Sequence, residues 1–456
     1  MKPVRVAAAE VLLAIEGRRT TLAAELETAR DDLPDPRDRA LLIEIASGTL
    51  RWQNAIDARL AIASRRAVGS FDVVARAVLR LGAYQLGYLT RVPAHAIVHE
   101  SVEAVRALGR PRAAGFVNAV LRALIRRGKT IRLPARPSAT QGRDRQVAYL
   151  SVTLSHPAWL IERWLDREGF DATEAWCTFN NTPPEITVRS AGRLTSAALL
   201  DRLIDAGADA RPAPFVHDAI RLAPGSLGKL SEELRHELVV QDEAAQLVAR
   251  VAAARGGERA LDVCAAPGGK TLVMHADMAG TDRSGAPQPS LVAADYRPSR
   301  VHLLTETLRA AGLHVPAVAL DARRPLPFAA AFDLVLLDAP CSGLGTLRRD
   351  PDLKWKRSAD ELPALAAEEL LMLHNAAETV RPGGRIVYAT CSSEPEENAG
   401  VVDRFLAADP RFARSPVAAG RDVPASAIDA GGCLSTRPFR EGLDAFFAAV
   451  LVRGQT

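Results

Sequence analysis

The sequence predicts a multidomain protein, an all-helical bundle followed by an α/β domain built on a mostly parallel, doubly wound sheet. Three observations carry this. Residues 4–128 show only the apolar period of helices, with no strand-like run among them. From residue 241 onward, short apolar runs alternate with helical segments, the pattern of a parallel sheet covered by helices. The loops that follow those runs are rich in Gly, Asp and Cys, and they fall where open sheets bind ligands.

A chain of 456 residues is too long for one core, and its 48% apolar and 25% charged residues are ordinary for a globular protein. It has no apolar run long enough to span a bilayer. Met1-Lys2-Pro3-Val4-Arg5 lacks the apolar stretch of a signal peptide, so a cytoplasmic protein is expected, with monomer as the default state. Cys177, Cys264, Cys341, Cys391 and Cys433 are widely scattered and match neither a disulfide framework nor a zinc pattern. Free thiols and no metal are expected.

The helical domain is placed at 1–130. Its segments lie near 4–16, 38–64, 72–89 and 95–108, with breaks at Pro34, Pro36, Gly69 and Pro93. A last segment carries Val117, Val120, Leu121 and Leu124 on one face and Arg122, Arg126 and Arg127 towards its end. Residues 1–130 hold 21 basic and 13 acidic residues, a net charge of about +8 in a chain of net +4. Such a surface suits a phosphate-rich partner, although a solvated helical face would carry the same charge. Only six of the 58 basic residues are Lys, and Lys270, Lys354 and Lys356 fall in or beside motifs. There a compact ammonium suits better than a guanidinium fork.

Residues 131–150 are polar and contain Pro134 and Pro137, which reads as a linker. Residues 151–240 read as a small α/β subdomain, with a helix opening at His156-Pro157-Ala158, a strand at 185–189 and a helix at 196–206. The final domain, 241–456, has expected strands at 260–264, 291–295, 317–320, 332–338, 385–389 and 445–452. Its helices are expected near 269–280, 298–311 and 360–381.

The first of these strands runs into Cys264-Ala265-Ala266-Pro267-Gly268-Gly269-Lys270-Thr271. Small residues and paired glycines at a strand-to-helix turn let backbone approach a ligand and aim helix amides at it. A turn packed for its own sake is the plainer alternative. A nucleotide-phosphate loop fits Gly269-Lys270-Thr271 but fails at its first glycine, where this chain has Cys264. Asp295 ends the second strand and suits ribose hydroxyls, while Asp321 after the third could accept from an adenine amino group. Helix capping is the competing use of each. A nicotinamide cofactor would meet the same geometry, but the thiols argue against hydride transfer.

Two further strands end in Asp338-Ala339-Pro340-Cys341-Ser342-Gly343 and Ala389-Thr390-Cys391-Ser392-Ser393. Neighbouring parallel strands would place both thiols over one crevice, although a lone strand-end Cys is commonly just a small buried residue. Ser393-Glu394-Pro395-Glu396 has the form of a capping box, whose helix start would favour a thiolate at Cys391. Two thiols and an acid suit methylation at carbon 5 of a pyrimidine. A thiolate adds to carbon 6 to make carbon 5 nucleophilic, and a second group is then needed to remove the proton and release the thiolate. Asp338 suits hydrogen bonding at N3.

The 264–270 turn, the two cysteine motifs and Glu396-Glu397-Asn398 resemble the RsmB/Sun (Nop2/NSUN) family of RNA cytosine-5 methyltransferases. Further matches are 241–246, the run around Arg348, Arg349, Pro351, Asp352, Lys354 and Trp355, and Gly442, Asp444, Phe446 and Phe447. Residues 79–86 and 116–122 resemble a NusB-type RNA-binding domain, and the two-part layout is similar to the family's bacterial 16S rRNA enzymes. The resemblance implies a Rossmann-like class I methyltransferase domain that uses S-adenosylmethionine. It implies 16S rRNA or a small-subunit assembly intermediate as partner, Cys391 as nucleophile and Cys341 as the residue assisting release. It further implies cofactor contacts by Cys264, Ala265, Ala266, Pro267, Gly268, Gly269, Lys270, Asp295, Arg300, Asp321 and Asp338. The departure is a Gly/Pro-rich loop at 280–290, longer than the family's usual one. A non-catalytic RNA-binding factor would have lost a cysteine or the glycine turn, and neither is lost; DNA as substrate is disfavoured by the basic helical domain.

Overall fold

Among the described residues, the helical periodicity of the first third becomes seven α-helices: α1 (Val4–Glu16), α2 (Leu22–Asp31), α3 (Pro36–Arg51), α4 (Gln53–Ser64), α5 (Val73–Tyr88), α6 (Ala94–Ala107) and α7 (Ala114–Arg127). The computed structural model describes residues 2–17, 20–128, 130–138, 141–192, 194–280 and 290–455. Residues 281–289 of the Gly/Pro-rich loop thus lie outside the described residues. The chain divides into two units, Met1–Thr182 with Leu347–Ala359, and Pro183–Thr346 with Asp360–Thr456.

In the first unit, Leu42, Ile45, Leu60, Leu79, Val117 and Leu121 are fully buried in one core. Asp35 and Asp72 cap α3 and α5 by accepting from backbone N–H groups of their first turns. Gly48 lets α3 approach α5, because a Cβ there would lie 2.0 Å from Tyr84 Cζ. The expected single segment 38–64 is two helices broken at Trp52 (φ −108°, ψ 19°). α2 buries only Leu22, so no apolar stripe announces it. The expected linker at 131–150 contains α8 (Arg143–Ala148), which a polar sequence hides because it buries no residue. α9 (Ala158–Glu168) and α10 (Phe170–Asn181) bury Trp164 against Trp176, stacked with ring centroids 4.3 Å apart. The boundary at Thr182 therefore falls inside the expected 151–240 subdomain.

Leu347–Ala359 joins this unit although it lies within the methyltransferase-like stretch of sequence. Lys354, 1% exposed, donates to the Arg51 carbonyl (3.3 Å), the Ser155 carbonyl (3.2 Å) and Asn181 Oδ1 (3.0 Å). Three separate acceptors match the N–H donors of a lysine head, although burial pulls its ionisation well below the ordinary lysine value. Trp355 Nε1 donates to the Leu50 carbonyl (2.7 Å), and Asp352 accepts from Leu22 N–H (3.2 Å) and Lys356 Nζ (2.9 Å). Lys354→Met keeps the bulk but strands three buried acceptors. It is expected to cost about 3 kcal/mol, read as a lowered denaturation midpoint in urea.

Among its described residues the second unit holds two sheets. β1 (Ile186–Ser190), β2 (Ala210–Pro212), β3 (Ala219–Leu222) and β4 (Leu238–Val240) form an antiparallel sheet of order β2-β3-β1-β4. The larger sheet comprises β5 (Arg259–Asp262), β6 (Ser290–Asp295), β7 (Ala317–Ala319), β8 (Phe332–Asp338), β9 (Val380–Thr390), β10 (Phe412–Ser415), β11 (Leu434–Ser435) and β12 (Phe447–Arg453). Its order is β10-β12-β9-β8-β5-β6-β7, with β11 on β12. The pairs among β5 to β9 are parallel and those of β12 antiparallel. The chain leaves β5 in one direction through β6 and β7 and in the other through β8 and β9. That reversal opens a crevice at the carboxyl end of β5. Among the described residues no helix is long and apolar enough to cross a membrane, and no group of three or more His, Cys, Asp or Glu could hold a metal ion.

Candidate active site

β5 stops at Asp262, and the chain turns through Cys264 to Gly268 into the helix Gly269–Ala279. Gly268 sits at φ 110°, a left-handed conformation that only glycine adopts freely, and a Cβ there would also lie 3.0 Å from Leu304. Arg189, buried on β1, holds the helix start by donating to the Gly269 carbonyl (3.1 Å) and to Gln241 Oε1 (3.0 Å). Thr271 donates to Asp262 (2.7 Å), whose carboxyl burial pushes up to about 7.

Asp295, at the end of β6, accepts from Ala266 N–H (3.1 Å) and from Arg300 Nε (3.2 Å). Arg300 also donates to the Ala266 carbonyl (2.6 Å), so it binds the turn to β6. Asp321, just past β7, accepts from Arg323 Nε (2.9 Å), and the guanidinium holds its carboxyl below the ordinary value. Arg323 in turn lies over the ring of Tyr296, 4.8 Å from its centroid.

Asp338 ends β8 and takes a 2.6 Å hydrogen bond from Lys270 Nζ. Burial pulls the Lys270 ammonium down, but Asp338 more than offsets it, so the net shift is upward and Lys270 stays charged. The two thiols meet: Cys341 Sγ and Cys391 Sγ are 3.4 Å apart. The hydrogen bond shared with Cys391, then burial, raises the Cys341 thiol well above its ordinary value. Burial likewise raises Cys264, which leaves it a protonated lining group.

One cavity of about 480 Å³ brings together Cys264, Ala266, Asp295, Arg300, Asp321, Asp338, Cys341 and Cys391. Ala265, Pro267, Gly268, Gly269 and Lys270 do not line it; they shape the turn behind it, and Lys270 reaches it through Asp338. Tyr296, Arg323, Glu368 and Met372 line it too, and the sequence reading missed them because helix and loop surfaces carry no motif there.

The expected capping box at Ser393 is absent. The next helix is Ala399–Ala408, with Asn398 at its cap position, and Ser393 Oγ donates to Glu394 (2.9 Å). The intervening 392–398 is held instead by buried side chains, with Asn398 Nδ2 donating to the Ser392 carbonyl (3.0 Å). Helix-dipole support for a thiolate at Cys391 is therefore withdrawn.

Beneath the thiols lies an acidic cluster that the sequence reading did not single out, apart from Glu397 within a family motif. Glu369 is fully buried, and burial together with Glu397 beside it pushes its carboxyl up to about 9. The Tyr388 hydroxyl lies 3.0 Å from Glu369 Oε2 and 2.5 Å from the Glu397 carbonyl oxygen. A raised carboxyl stabilises the fold fully below its ordinary value of 4.5 and loses that contribution as pH climbs towards about 9. Glu369→Gln removes the titration. Its melting temperature relative to wild type is expected to rise steadily from pH 5 to pH 9, and a difference independent of pH would contradict this.

A model of the family described as 16S rRNA methyltransferase RsmB/F matches residues 249–452. The NusB family matches 2–126, and the RsmF/B-like ferredoxin-like domain matches 156–226. The ribosomal RNA small subunit methyltransferase B of Pseudomonas putida is 36% identical over 410 residues, 89% of this chain and 89% of that one. The chain belongs to the 16S rRNA methyltransferase RsmB/F family. Its Pseudomonas syringae relative, also a ribosomal RNA small subunit methyltransferase B, is 34% identical over 98% of this chain and 96% of its own. Among solved structures, PH0851 matches with a TM-score of 0.79 at 23% identity, over 99% of both chains. NSun6 from Pyrococcus horikoshii, solved with SFG, matches with a TM-score of 0.55 at 18% identity, over 66% of this chain and 98% of that one. With the NusB and RsmB/F family matches, the likeness to PH0851 gives the fold as a NusB-type domain followed by a Rossmann-like methyltransferase domain. As an RsmB/F methyltransferase the protein uses S-adenosylmethionine. The cavity fits that cofactor chemically, since Asp295 and Asp321 offer acceptors at the strand ends where a nucleoside would lie.

Proposed function

We propose that this protein methylates carbon 5 of a cytosine in 16S rRNA, free or within a small-subunit assembly intermediate. The observation that carries the reading is the pair of thiols 3.4 Å apart beside Asp338 in one cavity. Asp295, Arg300, Asp321 and the 264–270 turn would hold S-adenosylmethionine, which when bound supplies an electrophilic methyl group. Cys391 adds to carbon 6 of the base as its thiol proton passes to N3, and Asp338, held by Lys270, accepts a hydrogen bond from the protonated N3 to favour that addition. Carbon 5 thereby gains the electron density it needs to be methylated.

Cys341 then takes the carbon 5 proton, and elimination frees Cys391. The Cys341 sulfur, 3.4 Å from that of Cys391, is placed beside the adduct for this step. The basic bundle, with exposed Arg106, Arg110, Arg112, Arg122, Arg126 and Arg127, would engage the RNA backbone, and an unpaired loop reduces the cost of presenting the base. A cytoplasmic monomer is the setting proposed.

The test is bisulfite mapping of 16S rRNA from a strain lacking the gene, with and without complementation, alongside transfer of labelled methyl groups in vitro. One cytosine should lose its modification and regain it on complementation. An unchanged map, or label at another base, would refute the reading.

A further inference from the structure

We infer that Glu397 is a positioning residue, one buried carboxylate that sets the spacing of the two thiols by tying together the residues that follow them. Ser342 follows Cys341 and Ser392 follows Cys391. Glu397 Oε1 accepts the Ser342 backbone N–H at 2.6 Å, and Oε2 accepts the Ser342 hydroxyl at 2.6 Å and the Ser392 hydroxyl by a short bond. The two hydroxyl oxygens are themselves 3.1 Å apart.

The strands alone do not fix this geometry. β8 and β9 run in register to the pair Asp338 and Ala389, and the Ala339 N–H donates to the Ala389 carbonyl at 2.8 Å. Beyond that point the backbone link between the two loops is Gly345 N–H to the Cys391 carbonyl, at 2.9 Å. Between these two anchors the thiols sit on short loops, and Glu397 joins the loops at the position after each sulfur.

Its own placement is secured from β9, because Tyr388 donates to its backbone carbonyl at 2.5 Å. Glu397 and Glu369 are both fully buried, and Glu369 carries its proton at neutral pH. Both Glu397 oxygens act as acceptors, matching the three donors that converge on them. Simple filling of this space would be served as well by an apolar side chain, without the cost of burying a charge. Three donors converging from two loops give the carboxylate a reason to be there.

This inference rests on the two-thiol chemistry proposed above, but its first readout does not. Diamide, which takes two electrons and two protons from a thiol pair, should join Cys341 and Cys391 in the full-length protein as a disulfide, measured by peptide mass spectrometry. Glu397→Gln puts an amide donor against a donor, and its rate of disulfide formation should fall about tenfold. Ser392→Ala, which leaves the carboxylate in place, should fall in the same direction and guards against misfolding of the first variant. At saturating substrates kcat should fall while KM for S-adenosylmethionine stays within about twofold, because Glu397 does not line the cofactor cavity. Wild-type disulfide rates in both variants would overturn the proposal, whatever base is methylated. A slowed disulfide in a protein that methylates no cytosine would uphold the clamp and reject the function.

Discussion

Cys391→Ala is expected to lower methyl transfer by about 10³-fold or more while leaving S-adenosylmethionine affinity within about twofold, as measured by label transfer and calorimetry. Carbon 5 of a pyrimidine carries too little electron density to attack a methyl group. No other cavity thiol is placed to substitute. Cys264 is raised by burial, and Cys341 sits on the neighbouring loop, its sulfur 3.4 Å from the place of the nucleophile. The variant should form no covalent species with RNA. Retained turnover would remove Cys391 from the chemistry.

Cys341→Ala is expected to behave in the opposite way towards RNA, accumulating a protein–RNA adduct that survives denaturing electrophoresis. Addition to carbon 6 needs Cys391, but departure of that sulfur follows loss of the carbon 5 proton, and the alanine cannot take it. Adduct should reach a large fraction of the enzyme within one turnover, with product slowed by about 10²-fold or more. If adduct instead accumulates in Cys391→Ala and not in Cys341→Ala, the two roles are exchanged. The pair of variants thus separates nucleophile from base, which neither does alone.

The candidate site residues are legible in the sequence because each lies at the end of an apolar run. Asp295, Asp338 and Cys391 close or directly follow β6, β8 and β9, and the glycine turn follows β5. Alternation of side chains and of elements is local, so it survives in a linear reading. The errors arose where a local signal competed with a distant partner. Ser393-Glu394-Pro395-Glu396 has the letters of a capping box, yet Glu397 reaches back to Ser342, 55 positions earlier, and the helix waits until Ala399. α2 and α8 escaped because one buries a single residue and the other none.

Leu347–Ala359 is the clearest case of a long-range decision. Its sequence neighbours belong to the sheet domain, but Lys354 and Trp355 find their acceptors on Arg51, Ser155, Asn181 and Leu50. The six scattered lysines only hinted that an ammonium was wanted there. Likewise Arg300, expected at the cofactor, lies on the cavity wall and also binds Asp295 and the Ala266 carbonyl, contacts that its position in the sequence does not show.

The order of strands and helices, the two cysteine loops and the acidic strand ends follow from residue type and short spacing, which the chain carries without being folded. The 3.4 Å between the sulfurs, the Lys270–Asp338 pair and the Glu397 bridge depend on β8 lying beside both β5 and β9. Those contacts join residues 50 to 68 positions apart, where the spacing of letters carries no distance. Only packing of the sheet converts them into a site.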